Sequence, residues 1–224
     1  MKKNKEYQKM LGSVSMTVHN PVMVSVGAND GVHADRVIPF CIRNGWKSIL
    51  IEPLPHIMQK CKKNWESHSK INRNIYFVQA AASDRSETIE MKFIDPDAPI
   101  SKKYKKDDMG KASASESYEF ADYLSEHIRT ISVPSMKLDD IISARVDKVN
   151  VLSIDVEGFE PKVFAGFNVS KWRPLVIIWE TKHLSSSVKR PIMRKLSKLG
   201  YKHREYGPDC ISALMGLERL VDVA

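Results

Sequence analysis

Two groups of residues in the chain have types and spacing that can do chemistry. Gly27-Ala28-Asn29-Asp30-Gly31 closes an apolar run, and Glu52-Pro53 follows twenty-one residues after Gly31. Glycines that bracket a strand-to-helix turn let the backbone turn sharply and approach a ligand, and a carboxylate at the end of the next strand can accept both hydroxyls of a ribose. A pyrophosphate-bearing cofactor favours G-x-G-x-x-G, so that backbone N–H groups surround the phosphates. Here Ala28 replaces the middle glycine and Asp30 adds an anion where phosphate would sit. No G-K-[ST] serves a triphosphate. The pattern fits a ligand with a ribose and no phosphate. S-adenosylmethionine is such a molecule, and its sulfonium and ammonium tolerate nearby carboxylates.

The second group is Asp155-Val156-Glu157-Gly158, with Glu160 behind it and Glu180, Lys182 and His183 leaving the end of a later strand. Asp155 and Glu157 are two apart, which puts both carboxylates on one side of an extended strand end. Methyl transfer to a hydroxyl needs an in-line approach and a proton acceptor. Asp155 is the candidate for positioning, and Glu157, Glu180 or His183 the candidates for the base. As a first-turn helix carboxylate, Glu160 is explained by the helix dipole alone. The clustered carboxylates could bind Mg²⁺ through oxygen, but nothing in the sequence requires it, and no metal is expected. Ala81, Ser83 and Asp84 follow a third strand, where small residues would let a flat ring lie against the backbone; an ordinary turn is the competing reading.

The elements that must position these residues alternate strand and helix. Val22–Val26, Ser48–Ile51, Ile75–Val78, Val149–Ile154 and Pro174–Trp179 are short apolar runs, read as buried strands. Ala34, Val37, Ile38, Cys41 and Ile42 form one helical stripe that Asn44-Gly45 ends, and Pro55 opens a helix carrying Met58, Cys61 and Trp65. Ser135 is the expected cap of a short helix from about Lys137 to Ser143, and Ile192, Leu196 and Leu199 mark a late helix before two final strands. Ile89, Met91 and Phe93 alternate as a half-exposed strand. From Asp95 to about His127 periodicity is lost, with Lys102 to Lys106 clustered and Ser113 and Ser115 as candidates to line an acceptor pocket. Five buried strands joined by helices predict a doubly wound, mostly parallel sheet whose carboxyl edge collects Gly27 to Gly31, Glu52, Ala80 to Asp84, Asp155 to Gly158 and Glu180. The expected organisation is an N-terminal extension over 1–19 and one domain over 20–224, with a polar insertion around 95–127.

The segments V-S-V-G-A-N-D-G, I-L-I-E-P-L-P, V-Q-A-A-A-S-D, S-I-D-V-E-G-F-E and P-L-V-I-I-W-E resemble, in order and spacing, the FkbM-type S-adenosylmethionine-dependent methyltransferases. The resemblance runs over about Val22 to Glu180, and I-D-V-E-G-x-E is its most specific part. It implies a class I methyltransferase (Rossmann-like) α/β fold with a seven-stranded sheet and an antiparallel final strand. It also implies bound S-adenosylmethionine, held by the Ser25 to Gly31 loop, Glu52, Pro53, Ala81, Ser83 and Asp155, and O-methylation of a sugar, glycan or small-molecule hydroxyl. One position departs from the family pattern: Ser25 stands where an aspartate would help hold the methionine end.

Composition narrows the setting. The 224 residues suit one α/β domain with a full core. Cys41, Cys61 and Cys210 are odd in number and far apart, which argues against a disulfide framework or thiolate zinc site and predicts a reducing, cytoplasmic location. The basic Met1 to Met10 has no apolar stretch behind it, so neither secretion nor membrane insertion is expected. A formal charge of +8 raises affinity for polyanions. With Asp155 and Lys182 at neighbouring strand ends, it keeps RNA ribose methylation as an alternative. Ser25 keeps another, a binding protein on the same fold that transfers nothing.

Overall fold

The computed structural model describes residues 2–32, 37–66, 74–97, 111–115 and 118–214. Each apolar run of the sequence is a strand of the main sheet: β1 (Val22–Val26), β2 (Lys47–Ile51), β3 (Ile75–Val78), β8 (Val151–Ile154) and β9 (Val176–Glu180). They pair in parallel, and β1 and β8 are buried along their whole length, as expected where helices cover both faces. The last strand, β11 (Asp209–Leu214), runs antiparallel between β9 and β10 (Tyr201–Tyr206), giving the order β10-β11-β9-β8-β1-β2-β3.

Alternation along the strands divides the interior into two layers. Val24, Val26, Ile49, Ile51, Leu152, Ile154 and Trp179 face one layer, filled by α4 (Leu138–Ser143), α5 (Glu160–Ala165), α6 (Val169–Trp172) and Leu196 of α7 (Ser186–Lys198). Met23, Leu50, Val151 and Ile178 face the other, against α1 (Lys2–Thr17), α2 (Val37–Arg43) and α3 (Pro55–Glu66). Helix α1 falls where the sequence predicted only an extension. Its Tyr7, Met10, Leu11 and Val14, at i, i+3, i+4 and i+7, are all buried, and Tyr7 Oη donates to Asp209 of β11 at 2.7 Å.

A second sheet, order β4-β7-β5-β6, stands beside the first. Its centre is the antiparallel pair β5 (Glu87–Ile94) and β7 (Ile128–Lys137), in register from Glu87↔Ser135 to Ile94↔Ile128. The polar excursion joins these two strands and returns β6 (Ala112–Ser113) to the edge of β5. Two local expectations are corrected. Ala81–Ser83 is not a turn but β4, pairing in parallel with β7. Ser135 does not cap α4: it lies within β7, where its hydroxyl donates to the carbonyls of Arg85 and Glu87, and Lys137 holds the cap position without a side-chain bond. The Lys102 to Lys106 cluster and Ala34 lie outside the described residues.

Candidate active site

The chain leaves β1 for β2 and β3 on one side of the sheet and returns to β8 and β9 on the other. Strand order therefore reverses between β1 and β8, and a crevice opens there at the carboxyl edge. A cavity occupies it. Val26, Gly27, Ala28 and Asn29 form one wall, Ile51, Glu52 and Pro53 the next, and Asp155, Val156, Glu157 and Phe159 the opposite side. Ala80, Ala81, Ala82 and Met91 close one end, and Lys111, Ala112 and Ala114 come down from the excursion.

Gly27 is required by crowding and by backbone. Its φ is +78°, and a Cβ there would lie 1.8 Å from the carbonyl oxygen of Asp155, so the two loops touch main chain to main chain. Gly31, φ +75°, answers to a different neighbour: a Cβ would strike Trp65 and Cys61 of α3, which makes it a packing glycine. Asp30 turns back on its own loop and accepts from the N–H of Val32 at 3.0 Å. Ser25 is buried within β1, in register with Leu50 and Ser153, and Ser83 packs its backbone against Gly166. Ser25, Asp30, Gly31 and Ser83 thus stand outside the cavity wall, while Gly27, Ala28, Asn29, Glu52, Pro53, Ala81 and Asp155 are in it.

Glu52 is no solvated strand-end carboxylate. It is 7% exposed; Oε2 accepts from the N–H of Asn29 and Oε1 from that of Leu54, both at 3.0 Å. Burial pushes its pKa up to about 7, against the two N–H bonds that favour the charged form. A ligand offering hydroxyls in the cavity would meet an acceptor already fixed in direction.

The opposite wall is held in a strained form. Glu157 has φ +51° and Gly158 φ +94°, and a left-handed glutamate persists only where its surroundings over-determine it. Two contacts do so. Glu160 is buried, and its Oε1 accepts from the N–H groups of Val156 and Gly158 at 3.1 and 3.4 Å. Ser113 of β6 donates its hydroxyl to the Glu157 carbonyl at 2.7 Å. Burial, with the charge of Glu157 adding to it, pushes Glu160 up to about 7 despite its backbone bonds. Glu160 is therefore a brace for the turn, a role that helix position alone did not disclose.

Glu180 and His183 stand behind Glu157, outside the cavity wall. His183 Nε2 lies 2.9 Å from Glu157 Oε2 and 3.9 Å from Glu180 Oε2. The Tyr118 ring packs edge-on against the imidazole at 4.8 Å between centroids. Burial and then the charges of Asp155, Glu157 and Glu160 push Glu180 up to about 9, against Lys182. Burial lowers His183 from its ordinary value, with Lys182 and Lys111 acting the same way and Glu157 opposing. Lys111, Phe159 and Tyr118 had not been singled out in the sequence: Lys111 and Tyr118 lie in the stretch without periodicity, and Phe159 is the apolar position between Gly158 and Glu160 in the most specific motif.

The parallel sheet with its inserted antiparallel strand, and a cavity at the reversal of strand order, are the class I methyltransferase fold. Residues 25–203 match the model of the Methyltransferase FkbM domain, and the chain belongs to that family. Among solved structures, methyltransferase FkbM from Methylobacillus flagellatus KT superposes with a TM-score of 0.57 at 15% identity, over 89% of this chain and 45% of that one. This chain thus spans less than half of that protein, and at such identity the likeness speaks of fold. The METTL16 methyltransferase domain (TM-score 0.49, 10% identity, 93% and 64% covered) and precorrin-6y C5,15-methyltransferase from Geobacter metallireducens GS-15 (0.44, 12%, 93% and 84%) are more distant. No curated protein matches. Among the described residues no helix is long and apolar enough to cross a membrane.

Proposed function

We propose that the protein transfers the methyl group of S-adenosylmethionine to a hydroxyl oxygen of a sugar, glycan or other small-molecule acceptor. The observation that carries this reading is the joining of Glu52 to the Gly27–Asn29 loop, on the wall facing Asp155 and Glu157, in one cavity of an FkbM-family chain. Glu52 accepts the ribose hydroxyls. The Gly27 to Asn29 backbone and Pro53 frame the cofactor, and Ala81 and Ala82 leave room for the flat adenine. The carboxylates of Asp155 and Glu157 face the sulfonium side, where they orient the acceptor hydroxyl and take up its proton as the oxygen attacks the methyl carbon. Glu180 and His183, one layer back, act through Glu157. Ser25 sits in the sheet rather than in the wall, so the methionine end is held from the loops beyond it.

Calorimetric titration with S-adenosylhomocysteine, followed by its release from S-adenosylmethionine across a panel of hydroxylated acceptors, tests this reading. Saturable binding of one equivalent, with turnover falling at least about a hundredfold in Asp155→Asn, is expected. Binding without release on any acceptor would make the protein a non-catalytic binder; no binding would remove the cofactor reading altogether.

A further inference from the structure

At the cavity wall and just behind it, three side chains converge. Glu157, Glu180 and His183 each direct a ligand atom to a common region, with all three atoms within 4.8 Å of each other; among the described residues no other group of three does this. Glu180 Oε2 and His183 Nε2 are both sealed from solvent and neither has a hydrogen-bond partner. Glu157 Oε2 lies 2.9 Å from Nε2, an ion pair only when the imidazole is protonated. Carboxylate oxygens and an imidazole nitrogen that face one another away from solvent are costly unless a proton or a cation lies between them.

The spacing suits a metal ion. Ligands about 2.1 Å from a divalent ion stand about 3 Å apart when adjacent in octahedral geometry and about 3.4 Å in tetrahedral geometry. Two of the three pairs, 2.9 and 3.9 Å, bracket those values, and all three atoms lie within 4.8 Å of one another. One imidazole with two carboxylates selects a transition ion of the Mn²⁺ or Zn²⁺ kind over Mg²⁺, which prefers oxygen ligands alone.

We propose that Glu157, Glu180 and His183 bind one divalent transition-metal ion beside the acceptor end of the cavity. Neighbouring contacts favour a fixed site. Tyr118 buttresses the imidazole, and Ser113 and Glu160 hold the turn that presents Glu157. The ion's role rests on the transferase reading, whereas its binding does not. Because Glu157 also lines the cavity, an ion held by it stands beside the acceptor oxygen. The ion favours its alkoxide, Asp155 takes the O–H proton, and the oxygen lone pair forms the new bond to the methyl carbon as the S–CH₃ pair returns to sulfur. An acceptor-side ion thereby assigns Asp155 as the proton acceptor and Glu157 as a ligand.

The test uses the full chain freed of metal by chelator, titrated with MnCl₂ and separately with ZnCl₂. Expected are saturation at one Mn²⁺ per chain by electron paramagnetic resonance, ¹⁴N modulation from an imidazole, and affinity weakened at least about tenfold in Glu180→Gln and in His183→Gln, but not in Glu87→Gln. No saturable binding of either ion, binding untouched by both substitutions, or a bound signal silent in ¹⁴N would overturn it. The ¹⁴N readout is made on the unmodified chain, so it stands even where a variant fails to fold. S-adenosylhomocysteine titrated into the same samples separates the two readings. Cofactor without metal sinks the ion site alone, and metal without cofactor sinks the transferase reading alone.

Discussion

Glu52 of the cavity wall joins the Asn29 loop to Leu54, and its protonation should report on them. The folded protein holds its proton up to about pH 7, while an unfolded glutamate releases it near 4.5. Between those values the native state binds more protons than the unfolded one, so the contribution of Glu52 to stability falls as pH rises through that window. Ribose hydroxyls donating to the carboxylate would favour the charged form. S-adenosylhomocysteine should therefore bind more tightly at pH 8 than at pH 6 and release a proton on binding, seen by calorimetry in buffers of different ionisation enthalpy. Glu52→Gln should abolish that proton release and weaken binding about 10- to 100-fold, the loss of hydrogen bonds to a charged group. Proton release unchanged in Glu52→Gln would place the titrating group elsewhere. Gly27→Ala tests the other side of the crevice. With Asp155 carbonyl oxygen 1.8 Å from the new Cβ, it should cost about 1–3 kcal/mol in urea unfolding; an unaltered midpoint would mean that the two loops can part freely.

At the scale of elements, β6 is where the excursion becomes part of the site. Its two residues pair with β5, and Ser113 reaches across to the carbonyl of Glu157, so a segment without any periodic signal holds the strained turn of the most specific motif. Removing that hydroxyl should loosen the acceptor side and spare the cofactor side. Ser113→Ala is expected to lower kcat/KM for the acceptor about tenfold, as a lost bond to a positioned group does, with S-adenosylhomocysteine affinity within about twofold of the parent chain. Equal losses in both would show that the turn serves the whole cavity. The strands of the main sheet were legible because burial on both faces leaves near-continuous apolar runs such as Val22–Val26 and Val151–Ile154, broken only by Ser25 and Ser153. Ala81–Ser83 was misread because three small residues carry little strand signal, and their pairing with β7 is set fifty-four residues away, Ala81 opposite Ser135. Helix α1 was readable from Tyr7, Met10, Leu11 and Val14, but its lysines drew attention to charge instead of period. Glu160 shows a different limit: sequence gives the carboxylate its place in a first turn, and only the fold shows that its oxygen turns inward to two N–H groups.

For the whole molecule, the open question is whether the surplus of eight positive charges serves the acceptor. Basic residues recur along α7, where Lys189 pairs with Glu205 at 2.6 Å and Arg190, Arg194, Lys195 and Lys198 follow with no acidic residue in the helix. This surface does not line the cavity. A protein that neutralises six to ten phosphates loses about 10³–10⁵ in affinity between 50 and 200 mM salt, because each contact releases a counterion. A small hydroxylated acceptor bound among Asp155, Glu157 and the excursion has no such dependence. Once turnover is established on an acceptor, raising salt over that range should change kcat/KM by less than about threefold, since exposed charges beyond a Debye length of about 8–10 Å are screened already. A steep, linear fall of log(kcat/KM) with log salt would instead bring the basic faces into recognition, and would move the acceptor from a free sugar or glycan hydroxyl to one carried on RNA.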